Sequence, residues 1–176
     1  MSDQQPLGVR IAERATLHGE FLLRSGATSS IYFDKYLFES DPGLLREIAE
    51  GMAPLIPEGT EALAGLEMGG IPVATMLSQI TGLPTLFVRK QAKEYGTCKL
   101  AEGGEVEGRR LTVVEDVVTS GGQILLSTKE LRDQGAEIET VLCVINREAG
   151  GVENLAAEGL ELRALFTRSQ LEGSSS

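Results

Sequence analysis

The sequence predicts an α/β fold: one domain over residues 1–176 in which a mostly parallel β-sheet is flanked by helices. Three observations carry this. Short apolar runs at 62–66, 85–88, 111–114 and 141–145 alternate with stretches of helical period, and strands alternating with helices imply parallel pairing. The runs are almost continuously apolar, as strands buried on both faces are. At 176 residues the chain suits one domain, with a core large enough to need neither disulfides nor a structural metal.

The elements follow in order. Residues 8–18 place Val9, Ile11, Ala12, Ala15 and Leu17 at helical spacing, which predicts a first helix with His18 at its C-terminal end. Residues 20–23 and 31–38 read as two strands around the turn Ser25-Gly26-Ala27-Thr28. Asp41-Pro42 sets a capping residue before a proline and opens a helix to about Met52. A strand at 62–66 precedes a helix over 71–80 stopped by Gly82, then a strand at 85–88. A strand at 111–114, a helix over 122–134 and a strand at 141–145 complete the alternation. The tail, about 170–176, is expected to be disordered.

Composition excludes several classes. Sixteen basic and 26 acidic residues give a net charge of −10, which argues against nucleic acid and anionic membranes as partners. A single histidine, His18, rules out multi-histidine metal sites. The two cysteines, Cys98 and Cys143, have no metal spacing and are too few for a disulfide scaffold. The polar start lacks the regions of a signal peptide and no run is long enough to span a bilayer, so a cytoplasmic setting is expected.

Residues 89–110 break the alternation. This segment holds Arg89, Lys90, Lys93, Lys99, Arg109 and Arg110 against Glu94, Glu102, Glu105 and Glu107, a balance of +2 in an acidic chain. Glycines at 96, 103, 104 and 108 allow it to move. A mobile cationic lid over a polyanionic substrate is the functional reading; a solvated surface hairpin is the alternative.

The chemistry concentrates in LTVVEDVVTSGGQILL, residues 111–126. A buried strand ends in Glu115-Asp116, and a small-residue turn, Thr119-Ser120-Gly121-Gly122, enters a helix. Ligands of parallel α/β sheets sit beyond the carboxyl ends of strands. Backbone N–H groups at a helix N-terminus bind phosphate. Two acids beside such a cradle make sense if they bind sugar hydroxyls or a hydrated Mg²⁺. A phosphorylated sugar is therefore expected. No lysine follows a glycine and no two glycines stand two apart, so neither a Walker loop nor a dinucleotide fingerprint is present.

The segment VVEDVVTSGG resembles the phosphoribosyl-pyrophosphate (PRPP) motif of type I phosphoribosyltransferases, and four further segments resemble the orotate branch of that family. RKQAKEYGT (89–97) is similar to its lid signature, FLLRSGATSSIYFD (21–34) to its substrate hood, GLEMGGIP (65–72) to its pyrophosphate loop and NREAGG (146–151) to its late motif. The resemblance implies a type I core with a small N-terminal hood (about 18–40) and a lid (about 89–110). It implies transfer of the phosphoribosyl group from PRPP to orotate with Mg²⁺, held mainly by PRPP and water rather than by the protein. It implies a homodimer whose lid is shared between subunits.

The site residues follow from the same resemblance. Lys93 is the principal lid cation, with Glu115 and Asp116 as the other catalytic candidates. Arg89, Lys90, Met68 and Gly69 would meet the diphosphate, Glu115 and Asp116 the ribose hydroxyls, and Val117, Val118, Thr119, Ser120, Gly121 and Gly122 the 5′-phosphate. Arg24, Tyr32, Phe33, Thr119 and Arg147 would form the base pocket, where a guanidinium can fork onto a carboxylate. Tyr95 stands at a lid position often held by histidine, Gly69 where some relatives carry lysine, and Asn146 where aspartate is more usual. A phosphoribosyltransferase for another base, or a PRPP-sensing regulator on the same fold, are the competing readings.

Overall fold

The computed structural model of the chain describes residues 5–22, 26–91 and 100–173. Chain order runs α1 (Leu7–Ala15), β1 (Thr16–Leu22), β2 (Thr28–Phe33), α2 (Tyr36–Glu39), α3 (Pro42–Met52), β3 (Ala62–Leu66), α4 (Gly70–Thr81), β4 (Thr85–Val88) and β5 (Ala101–Glu102). It continues with β6 (Arg110–Val118), α5 (Gly122–Asp133), β7 (Glu137–Asn146), α6 (Gly151–Ala157), β8 (Glu161–Thr167) and α7 (Arg168–Gly173). Six strands form one sheet in the order β5-β4-β3-β6-β7-β8, and β1 pairs with β2 in a separate antiparallel ribbon. All pairings in the large sheet are parallel except β4 with β5, as the strand–helix alternation predicts.

The sequence accounts for this layering. All five residues of β3 are buried, as are Thr140 to Asn146 of β7. Only strands covered on both faces can be so apolar. One face packs Ile11, Phe38, Ile48, Met52 and Leu77 of α1 to α4 against Leu63, Val114 and Leu142. The other packs Ile124, Leu131 and Leu155 of α5 and α6, with Leu100 and Val106, against Leu66, Val113, Val141 and Cys143. Each large aliphatic side chain so buried contributes about 1.5–3 kcal/mol. Asp41 caps α3 as expected, its Oδ1 accepting from the N–H groups of Gly43 at 3.0 Å and Leu44 at 3.1 Å.

Several elements differ from expectation. The first helix stops at Ala15, whose carbonyl accepts from Asp34 N–H at 2.8 Å. Residues 16–22 then pair with β2, so His18 is an exposed strand residue, not a helix-end charge. The second strand ends at Phe33, because Asp34 Oδ1 accepts from Tyr36 N–H at 3.1 Å and turns the chain into α2. β6 runs on to Val118 and carries both acids inside the strand. The tail expected to be disordered from residue 170 is helical to Gly173, with Leu171 buried.

The segment 89–110 divides. Residues 92–99, with Lys93, Tyr95, Cys98 and Lys99, lie outside the described residues, as does Arg24. Beyond them Leu100, Ala101 and Val106 are buried, and β5 extends the sheet. Arg109 donates to the Glu61 carbonyl at 3.0 Å, and Arg110 N–H to the Glu61 carboxylate at 2.8 Å. Both arginines thus sit at the amino end of β6, the wrong end of the sheet for a lid over Asp116. The apolar residues between the charges anchor the second half of the segment.

Candidate functional site

β3 and β6 are neighbours in the sheet, but the chain leaves them in opposite directions, to β4 on one side and β7 on the other. Such a reversal opens a crevice at the strands' carboxyl ends. Three connections meet there: Glu67 to Gly69 after β3, Thr119 to Gly121 after β6, and Arg147 to Gly150 after β7. Glycines let them approach. A Cβ on Gly69 would lie 1.6 Å from Asp116 Oδ2, and one on Gly151 would lie 2.5 Å from the Thr119 carbonyl. The Glu67–Met68 peptide is cis, and Met68 is exposed.

The turn after β6 leads directly into α5. Thr119 and Ser120 are exposed at the entry to α5, and the first N–H groups of a helix have no partner within it. Asn154 of α6 donates to the Ser120 carbonyl at 2.9 Å and fixes the turn. Val118, expected among the phosphate contacts, is buried at 1% exposure, and its carbonyl accepts from Arg147 N–H at 2.8 Å. Val117 is half-buried and packs on the core. These two hold the turn from beneath.

The acid pair is arranged differently from a pair open to a ligand. Glu115 is half-buried, and its Oε1 accepts from Asp116 N–H at 3.0 Å. Asp116 is fully buried. Its Oδ1 accepts from Val117 N–H at 2.5 Å, and its Oδ2 lies 2.5 Å from Lys35 Nζ. Glu39 of α2 joins the cluster; it is 6% exposed, and neither carboxyl oxygen has a hydrogen-bond partner. Sequence reasoning missed Lys35 and Glu39. The sequence places the Asp34-Lys35 pair inside the expected strand 31–38 and attaches no motif to it; only the end of β2 at Phe33 and the packing of α2 bring it to the end of β6.

Burial sets the protonation of this cluster. It pushes Glu39 up to about 9, helped by the neighbouring Asp116 carboxylate. Burial and Asp116 likewise raise Glu115 well above the usual range. Burial would raise Asp116 too, but its neighbours Glu39, Glu115 and Lys35 outweigh this and hold it below its ordinary value. Burial opposes the Lys35 charge, and Asp116 more than restores it. At neutral pH Glu39 is therefore held in its neutral form, Glu115 is biased toward its own, and Asp116 is paired with Lys35.

A stability prediction follows. An acid whose pKa is raised on folding contributes stability present below its unfolded value, which is lost as pH rises through the folded value. For Glu39 that window runs from about 4.5 to about 9. Glu39→Gln removes the titration and keeps a donor. Its Tm should therefore rise relative to the parent as pH increases across that window, as measured by thermal melts at several pH values. A constant difference would mean that Glu39 is ionised throughout.

On the opposite wall, the Arg147 guanidinium lies 5.9 Å from the Phe33 ring centre. Tyr32 is exposed and stacks on Phe21 with ring centres 5.5 Å apart. Glu148, the obvious surface partner for Arg147, turns away: its carboxylate accepts from Ser169 N–H at 2.9 Å and Oγ at 2.6 Å. Asn146 is buried, and its Oδ1 accepts from Glu148 N–H at 2.9 Å. Arg89 lies 3.7 Å from Glu102, and Lys90 is exposed. Cys143 is buried, and burial pushes its thiol up, which suits a packing residue. Among the described residues, no three His, Cys, Asp or Glu side chains are grouped to hold a metal ion, and no helix is long and apolar enough to cross a membrane.

Comparison with known proteins gives three findings. Residues 40–161 match the phosphoribosyl transferase domain family. An orotate phosphoribosyltransferase of a Nocardioides species is 54% identical over 156 residues, covering 89% of this chain and 87% of that protein. Two crystal structures of the Mycobacterium tuberculosis orotate phosphoribosyltransferase superpose on this one. The complex with Fe(III) dicitrate gives a TM-score of 0.86 at 32% identity, covering 94% of this chain and 96% of that one. The complex with PRPP gives 0.80 at 29% identity, covering 95% and 99%.

Proposed function

Since this chain belongs to the phosphoribosyl transferase family, and within it to the orotate phosphoribosyltransferases, we propose how its residues divide the work of that reaction. The enzyme transfers the phosphoribosyl group from PRPP to orotate, yielding orotidine 5′-monophosphate and pyrophosphate in pyrimidine biosynthesis. The observation that carries the assignment is the meeting, at one sheet edge, of a helix-entry phosphate cradle, an acid pair and an arginine beside an aromatic ring.

The 5′-phosphate sits on Thr119 to Gly122, receiving N–H groups from the first turn of α5 and the exposed hydroxyls. Glu115 and Asp116 take the ribose hydroxyls. For this the buried Asp116 must turn from Lys35 or share its oxygens with the ligand. The diphosphate lies along Met68 and Gly69, with Arg89 and Lys90 on its far side and Lys93 arriving from the lid. Departure of pyrophosphate builds negative charge on the leaving oxygens and positive charge at the anomeric carbon. Lid cations stabilise the first, and exclusion of water protects the second. Among the described residues no cluster of side chains is grouped to hold a metal ion, so Mg²⁺ would be carried mainly by the diphosphate and water and would neutralise charge on the leaving group. Arg24, Tyr32, Phe33 and Thr119 frame the base, and Arg147 forks onto its carboxylate.

Arg147→Lys tests the last assignment, because it keeps the charge and loses the planar fork. The apparent affinity for orotate should fall at least about tenfold, roughly 1.4 kcal/mol, with PRPP affinity nearly constant. Equal effects on both substrates would remove Arg147 from the base pocket. The working unit proposed is a cytoplasmic homodimer in which Lys93 serves the neighbour's site. Mixing Lys93→Ala with Asp116→Asn protein should then recover activity, since one site per mixed dimer is whole. No recovery after verified subunit exchange argues for a lid acting within its own chain.

A further inference from the structure

The Lys35–Asp116 pair ties the segment that follows the β1–β2 ribbon to the acid pair of β6. Lys35 follows β2 by two residues and stands at the entry to α2, so its backbone is continuous with that of Tyr32 and Phe33. Its ammonium reaches Asp116 Oδ2 at 2.5 Å while its side chain stays one-third exposed. The same oxygen is the atom that presses on Gly69 of the loop after β3. Lys35 therefore places a cation at the junction of the β6 acids and the loop after β3.

Three carboxyls face one another here: Glu39 from α2, and Glu115 and Asp116 from β6. Lys35 is the cation acting on them, Tyr36 acts on Lys35, and the buried Cys143 thiol faces Glu115 and Asp116. A cluster of three buried acids without a cation takes up protons, because like charges in low dielectric cannot all ionise. A protonated Asp116 would lose acceptor capacity for a sugar hydroxyl. It would also lose the attraction that seats it between Val117 N–H and Gly69.

We infer that Lys35 is a positioning residue for PRPP: its ammonium on Asp116 Oδ2 seats that carboxylate against the diphosphate loop, and so sets the affinity for the sugar diphosphate without touching the base. This rests on the reading of Asp116 as a ribose contact. Lys35 acts through Asp116 and is not a catalytic residue.

The test is Lys35→Met in the full chain, which keeps the length of the side chain and removes its charge. PRPP binding is measured by calorimetry, and the Michaelis constants for PRPP and orotate are measured separately. The expected result is a PRPP affinity weakened at least about tenfold with the orotate constant within about twofold, and partial recovery in Lys35→Arg. A merely structural role would move both substrates together, because Lys35 is continuous with the ribbon that carries Tyr32 and Phe33. That outcome overturns the inference. Unchanged PRPP binding in Lys35→Met overturns it too, and Asp116→Asn then separates the causes. If Asp116→Asn weakens PRPP, the ribose reading stands and only Lys35 is misassigned. If neither variant affects PRPP, Asp116 is not a ribose contact.

Discussion

Asp116→Asn should lower kcat/KM for PRPP by roughly tenfold to a hundredfold, the range of a charge-assisted hydrogen bond worth about 1.5–3 kcal/mol. Asp116 is the carboxyl of the cluster held below its ordinary pKa, while Glu39 and Glu115 are pushed up. The substitution therefore removes the principal negative charge available to the ribose. It also strands Lys35, but that ammonium is one-third exposed and can turn to solvent, so the loss of stability should be well below that of a fully buried pair. Steady-state kinetics with PRPP varied, beside a thermal melt, separate the two effects. Unchanged kinetics with a lowered Tm would make Asp116 structural.

Gly69→Ala should be more damaging to the fold. The added Cβ would fall 1.6 Å from Asp116 Oδ2 and 2.3 Å from its Cγ. Asp116 cannot retreat easily, because Val117 N–H and Lys35 hold its two oxygens. Either the carboxylate or the loop after β3 must move, at a cost typical of overpacking, about 1–3 kcal/mol. A chain of this size loses about 2–4 °C of Tm per kcal/mol. PRPP affinity should fall with it, since the displaced atoms are those proposed to meet the ribose and diphosphate. A variant with parental Tm and PRPP affinity would show that the carboxylate has another seat.

Much of the fold could be read from the chain because its signals were local. Buried strands such as ALAGL, the Asp41-Pro42 cap and the left-handed Gly82 each declare themselves within a few residues. β8 was not legible. Its charged Glu161 and Arg163 blur the apolar pattern, and edge position rather than period makes it a strand. The same limit applied to the site. Glu115, Asp116 and the cradle lie in one contiguous motif. Lys35 and Glu39 reach it only through the packing of α2 against the sheet, which no spacing in the sequence encodes. The cations of residues 89–110 divide for a related reason. Arg109 and Arg110 are near Lys93 in sequence, but β6 begins at Arg110 and carries them to the opposite end of the sheet.

Whether this crevice joins PRPP to an acidic pyrimidine is read from base consumption followed spectrophotometrically. Purified enzyme is mixed with PRPP, Mg²⁺ and orotate, with adenine, hypoxanthine and uracil in parallel. The account predicts Mg²⁺-dependent loss of orotate absorbance, abolished by omitting PRPP, with the three other bases unchanged. Conversion of adenine, hypoxanthine or uracil while orotate stays constant would contradict it.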